Sequence, residues 1–274
     1  FEIEAGELVG PRLYTAGPII DGKPAVWPGS VELTDPDEAA GLVSAQKAAG
    51  YDFLKPYARL TRECYEALAA AGEEQGLRLM GHVPEALALA DVLEAGQATI
   101  EHLDGFAEAA QRVDSPFRRV DFTNESRAWR EVDDARLAAV AQELREAGAW
   151  SCPTLIVMQK WCQGAEAAAL LARPEMRYVS PFMRAAWNPE APSNYLASMP
   201  AERVQAAHDK LPFEQKAVRA LRDAGAGILL GTDMGNPFVT AGFALHEELG
   251  YLVAAGLTPY EALRSGTAEA ARCM

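Results

Sequence analysis

Four side chains that can bind a metal ion or carry a proton follow glycines at similar distances along the chain. They are Lys55, five residues after Gly50; His82, six after Gly76; His102, six after Gly96; and Asp233, eight after Gly225. Imidazole and carboxylate groups are ordinary zinc ligands. A lysine amine becomes an oxygen ligand that can bridge two ions once carbon dioxide adds to it as a carbamate. These residues therefore suit a divalent metal such as zinc, bound as one or two ions.

Each of these side chains also has a purely structural interpretation. Lys55 could be a solvated lysine at a strand end, either histidine could be a satisfied residue near the core, and Asp233 could cap the next helix. The chain has only four histidines, and two of them occupy equivalent positions in the pattern. This shared placement favours a metal site. Of the other two, His208 is interpreted as a solvated helix residue and His246 as a residue that packs in the core or supports a metal ligand.

A repeated phrase, consisting of a helix end, a glycine and a short apolar run, positions these side chains. It occurs as Gly50 before YDFLKPY, Gly76 before LRLMGHV, Gly96 before QATIEHL, Gly148 before AWSCPTLIV and Gly225 before AGILLGTD. Glycine readily takes the left-handed conformation that ends a helix. A short apolar run without alternation is typical of a strand buried on both faces of a parallel sheet.

With one further strand upstream, this pattern predicts six strands, near residues 12–16, 51–56, 77–82, 98–102, 149–156 and 226–232. Strands that alternate with helices indicate βαβ units and a parallel sheet. Functional groups of such folds lie at the carboxyl ends of the strands. The four chemically active side chains are therefore expected on one rim.

The helices carry their own start signals. Asp35-Pro36-Asp37-Glu38 and Thr258-Pro259-Tyr260-Glu261 each combine an N-cap residue, a first-turn proline and a capping-box glutamate. The longest connection, of about 70 residues before the last strand, is expected to hold a helical insert or cap around residues 157–215. Because no low-complexity linker is visible, residues 1–274 are expected to form one domain.

The charge balance restricts the partners. The 39 acidic and 25 basic residues give a net charge of −14, which opposes binding to nucleic acid or to an anionic membrane surface. No apolar run approaches the roughly 20 residues needed to span a bilayer. A small-molecule substrate is expected, and a homo-oligomer stays open. A cytoplasmic location is favoured because no signal peptide is visible, with a secreted or periplasmic one open because the sequence begins with Phe1.

The sequence resembles the amidohydrolase superfamily, in particular its imidazolonepropionase-like and prolidase-like branch. The resemblance is carried by the segments GPRLYTAG, YDFLKPY, LMGHVP, TIEHL, GILLGTDMG and LHEELGYLVAAGLTPYEALRSGTAEAAR, which span nearly the whole chain outside the middle insert. It implies a (β/α)8 TIM barrel with a mono- or binuclear metal centre. It also implies hydrolysis of a C–N bond, in an amide, cyclic amide or Xaa-Pro substrate, by a metal-activated hydroxide.

The resemblance assigns a role to each of the four side chains. Lys55 is implied to be the carboxylated lysine of strand four. His82 and His102 are implied to be the metal ligands of strands five and six. Asp233 is implied to be the strand-eight aspartate, which contacts the metal and acts as the catalytic general base. The residues that bind substrate are not assigned.

The chain departs from this family pattern at its start. The family carries an HxH pair on strand one, which this sequence lacks, and GPRLYTAG corresponds to strand three. The expected fold is therefore an incomplete barrel with strands three to eight and without the family's small β-sandwich. Two other functions stay open. One is a Schiff-base aldolase or lyase that uses Lys55 as an amine nucleophile, and the other is a catalytically inactive truncated barrel that acts as a binding module.

Overall fold

The protein divides into two compact units. A computed structural model describes residues 2–3, 5–117, 119–121, 123–161, 167–188 and 201–274. The first unit comprises Phe1–Leu87, Asp91–Ala98 and Met274, and the second comprises Ala88–Ala90 and Thr99–Cys273. Both units contain parallel strands connected through helices, so the predicted α/β class is confirmed.

The first unit contains two pairs of short parallel strands. β1 (Ile20–Asp21) pairs with β2 (Val31–Glu32), and β3 (Phe53–Leu54) pairs with β4 (Arg78–Gly81). A 3-10 turn (Pro36–Glu38) and α1 (Ala39–Ala48) precede β3, and α2 (Arg62–Gln75) connects β3 to β4. The succession of β3, α2 and β4 is a βαβ unit, which directs the carboxyl ends of both strands to the same edge.

Three parallel strands lie side by side in the second unit. They are β5 (Thr99–Glu101), β6 (Trp150–Cys152) and β7 (Gly227–Ile228), and β6 pairs with both of the others. The register places Ser151, in the middle of β6, opposite Ile100 on one side and Ile228 on the other. The carboxyl ends of all three strands therefore meet at one edge.

The helices fill the connections between these strands. α3 (Leu89–Glu94) precedes β5. The remaining α-helices are α4 (Phe106–Ala109), α5 (Glu125–Ala128), α6 (Asp134–Glu146), α7 (Ile156–Trp161), α8 (Ala167–Leu171), α9 (Pro181–Ala186), α10 (Ala201–Asp209), α11 (Leu211–Ala224), α12 (Phe243–Ala255), α13 (Pro259–Ser265) and α14 (Ala268–Cys273), with 3-10 turns at Trp129–Glu131 and Pro174–Tyr178. None of the described helices is long and apolar enough to cross a membrane.

The glycines of the repeated phrase end helices as predicted. All five adopt left-handed backbone, with φ between 70° and 85°, a region that a residue with a Cβ atom enters only at a cost. At the start of α13, Thr258 and Glu261 form the predicted capping box. Asp35 is also an N-cap, but of the 3-10 turn that precedes α1.

The predicted strand at residues 12–16 is wrong. Within this range only Ala16 forms a β-bridge, to Phe53, and Leu13 is 68% exposed, so burial does not stabilise a strand there. The first strand is β1, which contains the fully buried Asp21. The Asp21 carboxylate accepts hydrogen bonds from the backbone N–H groups of Gly22, Val26 and Arg59. Side-chain hydrogen bonds of this kind leave no trace in the hydrophobic pattern.

The strand predicted at 149–156 ends earlier, because Pro153 has no backbone N–H to donate and Thr154 leaves the extended conformation. The chain that follows forms the helices α7 to α11. Residues 162–166 and 189–200 of the expected insert lie outside the described residues. The role of this segment as a cap, and the single-domain organisation, stay predictions.

Candidate active site

Polar residues in left-handed backbone follow the three strands of the second unit. His102 comes directly after β5, Thr154 two residues after β6 and Asp233 five residues after β7, with φ angles of 55°, 47° and 49°. This conformation is unfavourable for any residue with a Cβ atom, and most of all for a β-branched threonine. Strain of about 1–3 kcal/mol per residue is characteristic of functional sites. The strand ends therefore form a candidate site.

His102 is held between residues of the two other strand ends. Its backbone N–H donates to the carbonyl of Cys152 at 2.9 Å, and its Nδ1 is hydrogen-bonded to the Thr154 hydroxyl. Its Nε2 lies 3.8 Å from Oδ2 of Asp233. Asn236 donates to that same Oδ2 at 2.7 Å. The imidazole and the carboxylate are thus each oriented by a neighbouring polar side chain while they face one another.

The facing atoms of His102 and Asp233 fit a single divalent ion. Zinc binds an imidazole nitrogen at about 2.0–2.1 Å and a carboxylate oxygen at about 2.0–2.2 Å, so the two donors can lie up to about 4.2 Å apart. The observed separation of 3.8 Å is within this limit. The Thr154 contact at Nδ1 is also the kind of hydrogen bond that orients metal-binding histidines. In the described part of the chain, no group of three or more His, Cys, Asp or Glu residues is arranged to hold a metal.

Lys55 and His82 follow the paired strands β3 and β4 in the first unit. The backbone N–H of Ile20 donates to the carbonyl of Lys55 at 2.9 Å, and the N–H of His82 donates to the carbonyl of Pro56 at 3.1 Å. Lys55 is half-buried, and its Nζ makes no hydrogen bond or ion pair with the described residues. An ammonium or amine in this situation is available for a ligand or for reaction with carbon dioxide.

The aromatic ring of Tyr57 packs against His82 and is itself held by Trp27. The ring of Tyr57 packs edge-on against the imidazole, with 4.2 Å between the ring centroids. The Nε1 of Trp27 donates to the Tyr57 hydroxyl at 2.6 Å. These contacts give Tyr57 a role in orienting His82.

A buried glutamine that the sequence interpretation missed holds the end of β4. Gln97 is 2% exposed and follows Gly96 of the repeated phrase. Its Nε2 donates to the carbonyls of Gly81 and His82 at 3.0 and 3.2 Å, and its Oε1 accepts from the Tyr65 hydroxyl at 2.8 Å. Burial raises the pKa of Tyr65, so the hydroxyl stays a donor. A polar residue at the start of an apolar run is the signal that could have identified Gln97.

The structure thus brings one pair of the predicted ligands together, His102 with Asp233, and it places Lys55 and His82 at the ends of two paired strands. Ligation of a metal by these four residues stays a prediction. Of the two remaining histidines, His208 is exposed on α10 as expected.

Of the two roles expected for His246, packing in the core is wrong, and support of a metal ligand stays a prediction. This residue is exposed on α12. The helix instead buries Ala244, Glu248 and Leu252, which recur every four residues, and this spacing directs His246 away from the buried face.

The class of protein follows from a comparison of the whole sequence. The profile of the amidohydrolase family matches residues 3–274, and the chain belongs to this family. The resemblance seen in the sequence motifs is thereby confirmed. Members of the family generally use divalent metals.

Solved structures show the same fold. Bottromycin amidohydrolase superposes with a TM-score of 0.71 at 26% sequence identity, over 99% of this chain and 57% of its own. A putative prolidase from Bifidobacterium longum superposes with a TM-score of 0.58 at 21% sequence identity, over 99% of this chain and 57% of its own. A Xaa-Pro dipeptidase with methionine bound in its active site superposes with a TM-score of 0.58 at 19% sequence identity, over 99% of this chain and 59% of its own. A search of curated proteins finds no match. The chain therefore has a TIM-barrel-type amidohydrolase fold and spans a little over half the length of these neighbours.

Proposed function

We propose that this chain belongs to the catalytic part of a metal-dependent hydrolase that cleaves a C–N bond in a small-molecule amide, cyclic amide or Xaa-Pro substrate. The observation that carries the proposal is the pairing of His102 Nε2 with Asp233 Oδ2 across 3.8 Å at two strand ends. An imidazole and a carboxylate at this separation suit one divalent ion. An amidohydrolase among the solved neighbours supports the bond type.

Four side chains are proposed to hold the metal ion that activates the water and the substrate. His102 and Asp233 bind a divalent metal, and Lys55, as its carbamate, and His82 are proposed as further ligands. A bound divalent ion lowers the pKa of a water molecule and polarises the substrate carbonyl. Thr154 keeps the imidazole of His102 in one orientation through Nδ1.

Asp233 also serves as the proposed general base. Its side chain is 41% exposed, so that a water molecule and a substrate can reach the carboxylate. The carboxylate accepts a proton from the attacking water and returns it to the leaving nitrogen. The hydroxyl group of that water bonds to the carbonyl carbon, and the C–N bond then breaks as the nitrogen takes up the proton, which gives a carboxylic acid and an amine.

Zinc binding tests the ligand assignment directly. We expect His102→Asn and Asp233→Asn each to weaken zinc affinity by more than about tenfold, because even residues that only support a ligand contribute about that much. The matched control is His208→Asn, whose side chain is 54% exposed on a helix and which should bind zinc as the parent does. Calorimetry gives the affinity and elemental analysis gives the bound metal.

Activity measurements complete the test. A panel of N-acyl amino acids, cyclic amides and Xaa-Pro dipeptides is assayed before and after chelation, with zinc then restored. We expect hydrolysis that is lost with the chelator and recovered with the metal. Hydrolysis that resists chelation, or zinc affinity that His102→Asn leaves unchanged, would overturn the proposal.

Lys55 separates this function from the aldolase alternative. If Lys55 carries a carbamate, 13C-labelled carbon dioxide should give a carbonyl signal that disappears in Lys55→Met and persists in Lys23→Met, a control at a lysine that is 73% exposed. If the protein is instead a Schiff-base enzyme, borohydride should attach a carbonyl substrate covalently to Lys55 by reducing the imine that they form.

A further inference from the structure

Glu248 carries a fully buried carboxyl group that holds the chain beside the candidate site. It lies on α12 with none of its surface exposed. Its Oε1 accepts from the backbone N–H of Leu155 at 3.0 Å, and its Oε2 accepts from that of Ile156 at 2.8 Å. These N–H groups stand at the start of α7, where a helix offers them no internal partner.

The surroundings of Glu248 oppose ionisation of its carboxyl group. Ile156, Val157 and Ala244 belong to one apolar cluster between α7 and α12, which keeps water away. Burial, with a smaller contribution from the carboxylate of Glu214 on the packed helix α11, raises the pKa of Glu248 to about 8 against the opposing effect of the two N–H donors. A serine or aspartate at the N-cap of α7 would accept from N–H groups one or two residues further along the helix. The N–H groups of Leu155 and Ile156 therefore receive their acceptor from another element, at Glu248.

The segment that Glu248 binds leads directly to His102. Thr154 immediately precedes Leu155 and is 5% exposed in left-handed backbone with φ of 47°. Because this conformation is strained for threonine, it persists only where the surroundings fix it. The Thr154 hydroxyl is in turn hydrogen-bonded to Nδ1 of His102. One turn of backbone thus separates the buried carboxyl group of Glu248 from the hydrogen bond that orients the imidazole of His102.

We propose that Glu248 is a positioning residue, which fixes the turn at Thr154 through the N–H groups of Leu155 and Ile156 and thereby sets the ring orientation and tautomer of His102. The consequence for metal binding rests on the proposed function. The mechanical link to His102 does not, because it concerns the protein without metal.

Two neighbouring glutamates provide a matched pair of variants. Glu248→Gln keeps the size of the side chain but replaces one acceptor oxygen with an amide N–H₂ group, which cannot accept from a backbone N–H. Glu247→Gln makes the same change one residue earlier. There it disturbs ion pairs with the buried Lys160 and with Arg173. Both changes are expected to reduce stability, but only the first alters the turn at Thr154.

Nitrogen NMR of the imidazole rings in the metal-free full chain gives the readout. The four histidines yield a small set of signals, and His102→Asn identifies those of His102. In the parent protein we expect one tautomer of His102 to predominate. In Glu248→Gln its two ring nitrogens should shift toward the average of the two tautomers, whereas Glu247→Gln should leave them in place. A folded Glu248→Gln with His102 signals identical to those of the parent would overturn the proposal.

Thr154 tests the same link without disturbing Glu248. Thr154→Val removes the hydroxyl at nearly constant shape and should shift the His102 signals as Glu248→Gln does, and Thr154→Ser should restore them. Zinc affinity should fall by about tenfold in Glu248→Gln and Thr154→Val but not in Glu247→Gln. If the parent protein binds no zinc, the proposed function fails while the NMR comparison still decides the role of Glu248. If zinc binds but the His102 signals do not respond, only the positioning role fails.

Discussion

Replacement of Lys210 by methionine removes the cation from a buried ion network. The Nζ of Lys210 lies 2.9 Å from Glu214 and 3.0 Å from Glu125, and the side chains of Lys210 and Glu214 are each only 4% exposed. Burial alone would lower the pKa of Lys210, but the two carboxylates outweigh it and raise the pKa. Methionine fills a similar volume and leaves buried carboxylate without a cation. Removal of one partner from a buried pair costs about 3–5 kcal/mol.

Lys216 provides the control for Lys210, because it lies on α11, the helix that begins directly after Lys210. Its Nζ is 2.9 Å from Asp134, yet the two side chains are 48% and 73% exposed. Lys216→Met should therefore cost no more than about 1 kcal/mol. At about 2–4 °C per kcal/mol for a chain of this size, Lys210→Met should lower Tm by about 6–20 °C and Lys216→Met by at most about 4 °C. Thermal unfolding followed by circular dichroism near neutral pH measures both.

The pH dependence of the loss in Tm tests whether a buried carboxylate without its cation destabilises Lys210→Met. Burial raises the pKa of Glu214, and Lys210 opposes that rise, so loss of the lysine raises the pKa further. A carboxyl group whose pKa is raised in the folded state adds to the free energy of unfolding at low pH, and this stabilisation is lost as pH rises. The deficit of Lys210→Met should thus shrink as pH falls toward about 5. Equal losses of Tm in the two variants, or a deficit that does not change with pH, would refute the reasoning.

Three further outcomes follow from buried groups and close contacts. Burial raises the pKa of Glu248 from 4.5 to about 8, so the parent protein should lose up to about 5 kcal/mol of stability as pH rises between these values. In urea unfolding measured across this pH range, the free energy of unfolding of Glu248→Gln should change less with pH than that of the parent. Gly81→Ala would place a Cβ atom 2.6 Å from the carbonyl oxygen of Pro56 and should lower Tm strongly in a thermal melt. In the same assay, Gly41→Ala on α1, where a Cβ atom meets nothing within 4 Å, should raise stability by about 0.5–1 kcal/mol.

The parts of the fold that the sequence predicts are those with a local signature. A glycine at a helix end and a buried parallel strand both impose a composition on consecutive residues, so Gly76 and Gly225 identify the ends of α2 and α11 and the strands that follow. β1 and β2 have two residues each, too few for any period. The buried Asp21 accepts from Arg59, 38 residues away, and no window along the sequence contains both.

The same distinction applies to the candidate site. The sequence predicts that His102 and Asp233 follow strands, because each lies at a similar distance after the glycine that ends the preceding helix. Their partners are not predicted in this way. Glu248 binds Leu155 across 93 residues, and within LHEEL it resembles its neighbour Glu247, whose side chain is 31% exposed. Only the packing of α7 against α12 decides which of the two glutamates is buried.

The left-handed strand ends argue most directly for function. Glycine occupies this backbone region without strain, and the chain uses it at the five helix ends of the repeated phrase. At the ends of β5, β6 and β7 it instead keeps histidine, threonine and aspartate, at a cost of about 1–3 kcal/mol each. Their side chains are hydrogen-bonded or directed toward one another at His102, so what the strain preserves is a particular arrangement of an imidazole, a hydroxyl and a carboxylate.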